Sequence, residues 1–423
     1  MTDPSIAPTA LSPAVAVPLR PRLTLGLISL GHAVIHAQSA LMPLIYAVVV
    51  VEFGLTASAI GLFIAVTTAV GGVMQMTYGF VTRWIARRAL LATGYALFGG
   101  GLILGGFAQT FGQLLSALSG ARIGASPQHP VGNALISDQY PAERRGFAIS
   151  THIAGGNVGT ILVPFVGSAL IATLGWHVTL ALFGLPALVI AILVAVFVQE
   201  DHDAYRRAAR GSGSPIGHLR TVIGRRDLRL ILGASLVAAG GRGLDIVAPF
   251  MLLYLRGPLG LDETPISVLY TLLLAGAVIG PVIAGVLSDR LGRRPTLIAY
   301  YVLSAAGILL FLAAGANLVL LVPLLLPFGT AVFSESPVLQ AYLADRVTGP
   351  MRDMAFAVYF TFAFGIGAFW ALVIGTVVER FGYPIAFGVM AASYLAAAVL
   401  LFAVGGRGDA ADPDPDRVPQ VAA

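Results

Sequence analysis

Asp245 and Glu335 stand deep inside long apolar stretches of this chain. An ionised group removed from water costs several kcal/mol unless it meets a partner or a wet cavity. An acid so placed is a candidate for taking up and releasing a proton during a work cycle, and these two carboxyls are the expected proton-coupling groups. Arg122 and Arg242 share the apolar stretches. A guanidinium keeps its charge and presents a planar fork of donors to an anion, so Arg122 can hold an anionic substrate group or regulate a nearby acid. Arg242 lies three residues before Asp245 on one helical face and can neutralise it. For Arg122, an ion pair between the two halves of the fold is the competing, purely structural reading. His36 and His129 are possible cavity donors or proton carriers, against the alternative of hydrogen-bonded, permanently neutral imidazoles. His32 and His152 are weaker candidates. With Gln38, Gln128 and Gln340, the groups His36, Arg122, His129, Arg242 and Glu335 make up the expected substrate-binding set.

Several chemistries are excluded. The chain has no cysteine, which removes disulfides, thiolate metal sites and cysteine nucleophiles. It has no lysine, so the G-x-x-x-x-G-K-[ST] nucleotide loop is absent and ATP-driven work by this chain alone is not expected. The seven histidines lack ligand spacing such as H-E-x-x-H, and no nucleophile stands beside a base. The sequence therefore predicts no enzyme, no cofactor and no metal.

The groups that remain must be positioned by membrane-spanning helices. Hydrophobic residues make up 57% of the chain and charged residues 11%, with a mean hydropathy of +0.87, a composition that cannot cover a soluble globule. A helix needs about 20 apolar residues to cross the bilayer core. Twelve runs of that kind are predicted at 24–50, 56–82, 89–108, 111–137, 147–170, 178–198, 229–255, 265–288, 295–315, 317–343, 354–378 and 384–404. Alternating the loops between two sides sorts the 25 arginines sharply. Arg256 and Arg380 fall on one side, Arg122 and Arg242 lie within spans, and all the others fall on the opposite side. Basic loops mark the cytoplasmic face, so both termini are expected in the cytoplasm. The net charge of +5 is explained by membrane orientation rather than by nucleic acid.

The chain also repeats itself at an offset of about 206 residues. Pro43 maps onto Pro249, Gly79 with Arg87 and Arg88 onto Gly285 with Arg293 and Arg294, and Pro130, Asp138 and Arg145 onto Pro337, Asp345 and Arg352. The expected organisation is an all-α membrane protein of two pseudo-symmetric six-helix bundles. Its parts are a cytoplasmic leader (1–23), an N-terminal bundle (24–198), a cytoplasmic linker (199–228), a C-terminal bundle (229–404) and a disordered cytoplasmic tail (405–423).

After the eighth run, Gly285, Asp289, Arg290, Gly292, Arg293 and Arg294 form the pattern G-x-x-x-D-R-x-G-R-R. Glycines permit a tight turn there, and the aspartate can cap a helix or pair with arginines across the cytoplasmic interface of the halves. This resembles the signature loop of the major facilitator superfamily. The first-half copy keeps Gly79, Arg87 and Arg88 but has Arg83 and Ala86 where the other has Asp289 and Gly292. The stretch from Arg122 to Ser126 is similar to the superfamily's arginine-containing fourth-helix motif. Gly155, Gly156, Asn157, Gly159 and Pro164 resemble the glycine-rich fifth-helix motif of its proton-coupled exporters. With His129 and Pro130, the pattern resembles the fosmidomycin-resistance-like branch of drug exporters. The resemblance implies alternating access and a central cavity lined by helices 1, 4, 7 and 10. It also implies an inner-membrane efflux antiporter, a monomer whose partners are lipid, protons and a small-molecule substrate. A proton symporter importing a small organic anion onto Arg122 and Arg242 is the alternative.

Overall fold

The structure, a computed structural model, describes residues 19–82, 84–140, 142–203, 215–347 and 349–404. The leader before Leu19, Arg83, residues 204–214 of the linker and the 405–423 tail lie outside the described residues.

Every element among the described residues is helical. The N-terminal half begins with α1 (Pro21–Glu52), α2 (Ala57–Val81) and α3 (Arg87–Gly106). Helix α4 (111–139) is assembled from Phe111–Ala125, a wide π-turn over Gln128–Gly132, and Asn133–Gln139. Helix α5 (142–174) pauses at Leu162, between Ala142–Ile161 and the stretch beginning at Val163. Pro164 explains that pause, since its ring nitrogen has no proton for the carbonyl four residues back. The stretch Val163–Phe197 then breaks at Gly175, where φ is 77°, and α6 (176–197) runs on.

The linker contains a short helix, Pro215–Gly224, which packs against residues 349–360. In the second half, α7 (226–256) is interrupted. It is followed by α8 (Glu263–Leu291), α9 (Arg293–Ala314), α10 (Leu318–Ala344), α11 (349–381) and α12 (Tyr383–Phe402). Thr110 caps α4 by accepting the Gln113 amide proton at 3.3 Å, and Asn317 caps α10 by accepting that of Val319 at 3.0 Å. Ten of these stretches are long and apolar enough to cross a bilayer. The broken α4 and the division at Gly175 bring the number of spans to twelve.

The sequence repeat is written into the backbone. Gly54 (φ 59°) between α1 and α2 has its counterpart in Gly260 (φ 62°) between α7 and α8, and Gly175 has its counterpart in Gly382 (φ 84°). Left-handed backbone at these corners needs a residue without Cβ. Within the halves α3 packs on α6 as α9 packs on α12, and α2 on α4 as α8 on α10. The halves meet along α2 and α11, α5 and α8, and α1 and α7. Gly72 lies directly against Gly365, so α2 and α11 approach backbone to backbone. The outside is apolar: Val282, Val319 and Val399 are each more than two-thirds exposed, a surface suited to lipid rather than water.

Candidate functional site

Helix α7 does not run straight through. Arg226–Ala238 ends in a tight turn over Ala239–Gly241, Arg242 is extended (φ −61°, ψ 132°), a wide turn covers Gly243–Val247, and Ala248–Arg256 completes the span. Gly240, Gly241 and Gly243 have low helix propensity, and Pro249 leaves the carbonyl of Asp245 without its usual donor. The break turns Arg242 inward. Its guanidinium donates to the Ala363 carbonyl, lies 4.6 Å from the centre of the Phe364 ring, and brings Nε to 3.5 Å from Glu335 Oε1. Glu335, on α10, is 2% exposed; its oxygens make no close, well-aligned hydrogen bond among the described residues, and Arg242 and the Tyr301 hydroxyl face them. Tyr301, Tyr359 and Tyr394 are fully buried around the pair. Tyr394 donates to the Gly241 carbonyl at 2.7 Å, and Tyr359 shares a 2.8 Å hydrogen bond with Ser336, which also accepts from Gln340 at 3.1 Å.

The expected pairing of Arg242 with Asp245 is therefore replaced by a pairing with Glu335, from a helix 93 positions further on in sequence. The extended backbone at Arg242 destroys the helical register that would have stacked it over Asp245. Asp245 is half-buried and has no ion-pair partner within 4 Å among the described residues.

In the other half, Arg122, Gln38, Met42, Tyr46, Phe63 and Thr67 line a small, partly open cleft shared by α1, α2 and α4. Arg122 makes no ion pair among the described residues, so the structural reading of it as a tie between halves fails. Gln38 is buried, and its Oε1 has no hydrogen-bond partner among the described residues.

Four histidines converge beside the cleft. His32 lies 4.3 Å from His36, 4.9 Å from His129 and 4.5 Å from His152, centroid to centroid. A hydrogen-bond chain holds them. Tyr95 donates to Gln128 Oε1; the Gln128 amide donates to the Ile28 carbonyl at 3.1 Å and reaches His152 Nε2 at 3.4 Å; His152 Nδ1 lies 3.4 Å from the Ser29 hydroxyl. His32 Nδ1 donates to the His152 carbonyl at 3.1 Å. The fifth-helix glycines make room for this arrangement. Gly155 lies against Ser29, Gly159 against the Ala33 carbonyl, and a Cβ on Gly156 would come within 2.6 Å of His32 Nδ1. Asn157 is half-buried and accepts a hydrogen bond from Thr160 on its own carbonyl.

The two polar clusters are one site written twice. At the repeat offset, His36 corresponds to Arg242, Tyr95 to Tyr301, Gln128 to Glu335, His129 to Ser336 and His152 to Tyr359. A row of rings joins them across the halves: His129 stacks on Phe360 at 5.9 Å, Phe360 lies 5.9 Å from Phe364, and Phe364 underlies Arg242. Phe360, Phe364, Tyr301, Tyr359 and Tyr394 were not legible as site residues in the sequence, where aromatic residues inside apolar runs look alike. Only the repeat offset, applied to single polar positions, could have singled out Tyr301.

The arginine-rich loops carry a second, duplicated arrangement. Arg87 pairs with Asp138 at 2.6 Å and Glu200 at 3.2 Å; Arg293 pairs with Asp289 at 2.5 Å and Asp345 at 3.2 Å. Arg88 and Arg294 each donate to carbonyls ending the last helix of their own half, Val198 in one case, Leu401 and Phe402 in the other. Asp289, in the last turn of α8, thus pairs within its own half rather than across the interface, because Arg293 follows four positions later as the first residue of α9. Arg290 is exposed, Gly285 and Gly79 lie within α8 and α2, and Gly292 (φ 94°) turns the chain into α9. On the opposite, arginine-poor side the halves are joined directly. Ser58 bonds Glu379, Ser267 bonds Ser168 at 2.9 Å, and Tyr270 bonds the Ala40 carbonyl at 2.8 Å.

Comparison with known proteins agrees with this architecture. The nucleoside transporter NupG superposes with a TM-score of 0.72 at 14% identity, covering 91% of this chain and 98% of its own. The D-xylose-proton symporter gives 0.70 at 18% identity, covering 90% and 95%. In sequence, the chain is 26% identical to the fosmidomycin resistance protein of Escherichia coli (strain K12) over 87% of this chain and 89% of that one. It is 30% identical to the probable 4-methylmuconolactone transporter of Cupriavidus pinatubonensis over 58% of each. The pattern of the Major Facilitator Superfamily matches residues 28–251 and 231–421, nearly the whole chain, and the protein is accordingly a member of that superfamily of membrane transporters, similar to the fosmidomycin resistance protein, and not an enzyme.

Proposed function

We propose that this transporter exports a small organic compound in exchange for protons by alternating access. In this reading it sits as a monomer in the inner membrane with its arginine-rich face and both termini in the cytoplasm, the orientation that basic loops favour. The observation that carries the reading is the buried Glu335–Arg242 pair at the break in α7. The Glu335 oxygens make no close hydrogen bond among the described residues, so a substrate N–H or O–H can bond them when the carboxyl is ionised. A proton on Glu335 removes that acceptor. Substrate and proton then exclude each other at one group, which is the condition for exchange. Asp245, half-buried in the wide turn of α7, is the second protonatable acid on the path. Discontinuous helices at mid-span, as in α7 and α4, are a recurrent way of building such sites.

Inside-out vesicles acidified in the lumen test this directly, with fosmidomycin, the compound in the relative's name, as the first probe. Substrate entry should alkalinise the lumen, and Glu335→Gln should abolish the proton movement. Substrate accumulation without proton efflux, or an unchanged Glu335→Gln profile, would refute the exchange.

A second reading, import of a small organic anion with a proton, rests on Arg122, which makes no ion pair among the described residues and lines the cleft beside Gln38. Protonation of Glu335 would free Arg242 to join Arg122 on the anion. It is distinguished by direction: in the same vesicles the anion would leave the lumen together with protons, and Arg122→Gln would abolish its movement.

A further inference from the structure

Sequence spacing gave no reason to expect metal ligation, yet the fold gathers three imidazoles from two helices. One nitrogen from each of His32, His36 and His129 lies within 4.8 Å of the other two. His32 and His36 are one helical turn apart on α1, and His129 enters from the wide turn in α4. We propose that these three residues bind a borderline transition-metal ion, of which Zn²⁺ is the type, with a fourth position left for water or an anion.

The tautomer of His32 is the strongest argument. Its Nδ1 donates to the His152 carbonyl, which puts the lone pair on Nε2. That atom is buried, in a side chain that is 2% exposed, and has no hydrogen-bond partner among the described residues. A metal-ligating histidine is ordinarily fixed in this way, with its second nitrogen held by a carbonyl or carboxylate. The neighbouring His152 is occupied at both ring nitrogens, by Ser29 and Gln128, and serves as support rather than ligand. Three neutral imidazoles without thiolate or carboxylate select ions of the zinc and copper type over hard cations. A tetrahedral shell at about 2.0–2.1 Å holds its ligand atoms roughly 3.4 Å apart, so small ring rotations close the set.

The repeat adds an independent reason. The position equivalent to His36 in the second half is Arg242, a fixed cation; the first half puts imidazoles there, able to take an exchangeable one. No carboxylate belongs to the ligand set, so the bound ion keeps its charge and favours an anion in the fourth position.

Full-length protein in detergent, with any affinity tag removed, should bind one Co²⁺ per chain with the visible bands of a tetrahedral nitrogen site. Zn²⁺ should displace it stoichiometrically. His36→Gln and His129→Gln should each weaken binding by more than the roughly 10–100-fold that follows loss of a second-shell partner. His177→Gln and His218→Gln, outside the cluster, should leave it unchanged. Thermal unfolding of each variant shows whether it is folded; should His36→Gln fail to fold, His129→Gln on the other helix decides. The proposal is overturned if the wild-type protein gives no saturable tetrahedral Co²⁺ spectrum, or if folded His129→Gln binds Co²⁺ as the wild type does.

Discussion

The first half of the molecule fills its polar centre with neutral groups and the second fills the equivalent place with opposite charges. Around Gln128 the oxygens and nitrogens are bonded in a chain through Tyr95, His152 and Ser29; around Glu335 a long contact to Arg242 compensates a carboxylate whose oxygens make no close hydrogen bond among the described residues. The difference teaches that duplication fixed the backbone and left the chemistry free to diverge. The glycine corners and the arginine–aspartate pairs repeat closely, because they shape the turns and ends of helices. The centre does not repeat: neutral side chains in one half stand where an ion pair stands in the other.

The largest expected effect tests the compensated charge. Arg242→Ala leaves Glu335 buried and alone and should destabilise the protein by about 3–5 kcal/mol, as breaking a buried pair does. The double variant with Glu335→Ala should recover most of that loss, measured by thermal unfolding in detergent. If the single variant unfolds like the wild type, the pair does not hold the second half together. In the first half, Gln128→Ala should cost less, about 1–3 kcal/mol, since it strands the Tyr95 hydroxyl rather than a full charge. Gly156→Ala should cost about 1–3 kcal/mol by pressing on the His32 ring, while the equivalent position, Ala363, already carries a Cβ. Equal losses for Arg242→Ala and Gln128→Ala would erase the contrast between the halves.

The smallest effects belong to the arginine-rich loops. Arg87 is buried with Glu200, whereas Arg293 and its partners are partly exposed. Arg293→Gln should change stability by no more than about 1 kcal/mol, and Arg87→Gln by distinctly more. A larger loss for Arg293→Gln would mean that the signature loop holds more than its own half.

By itself the sequence determined the twelve spans, the two related halves and the sidedness of the arginines, because hydropathy, repeat offset and loop charge are local or additive properties. It also marked Arg122, Asp245 and Glu335 as residues that apolar surroundings must accommodate. Only the tertiary structure decided that Arg242 turns to Glu335 instead of Asp245, that Arg122 stays unpaired on a cleft, and that His32, His36, His129 and His152 meet. Those outcomes depend on where α4 and α7 depart from regular helix and how closely glycines let α1 and α5 approach. The rotation of one helix against another is set by packing across the whole bundle, so a reading of spacing along the chain does not contain it.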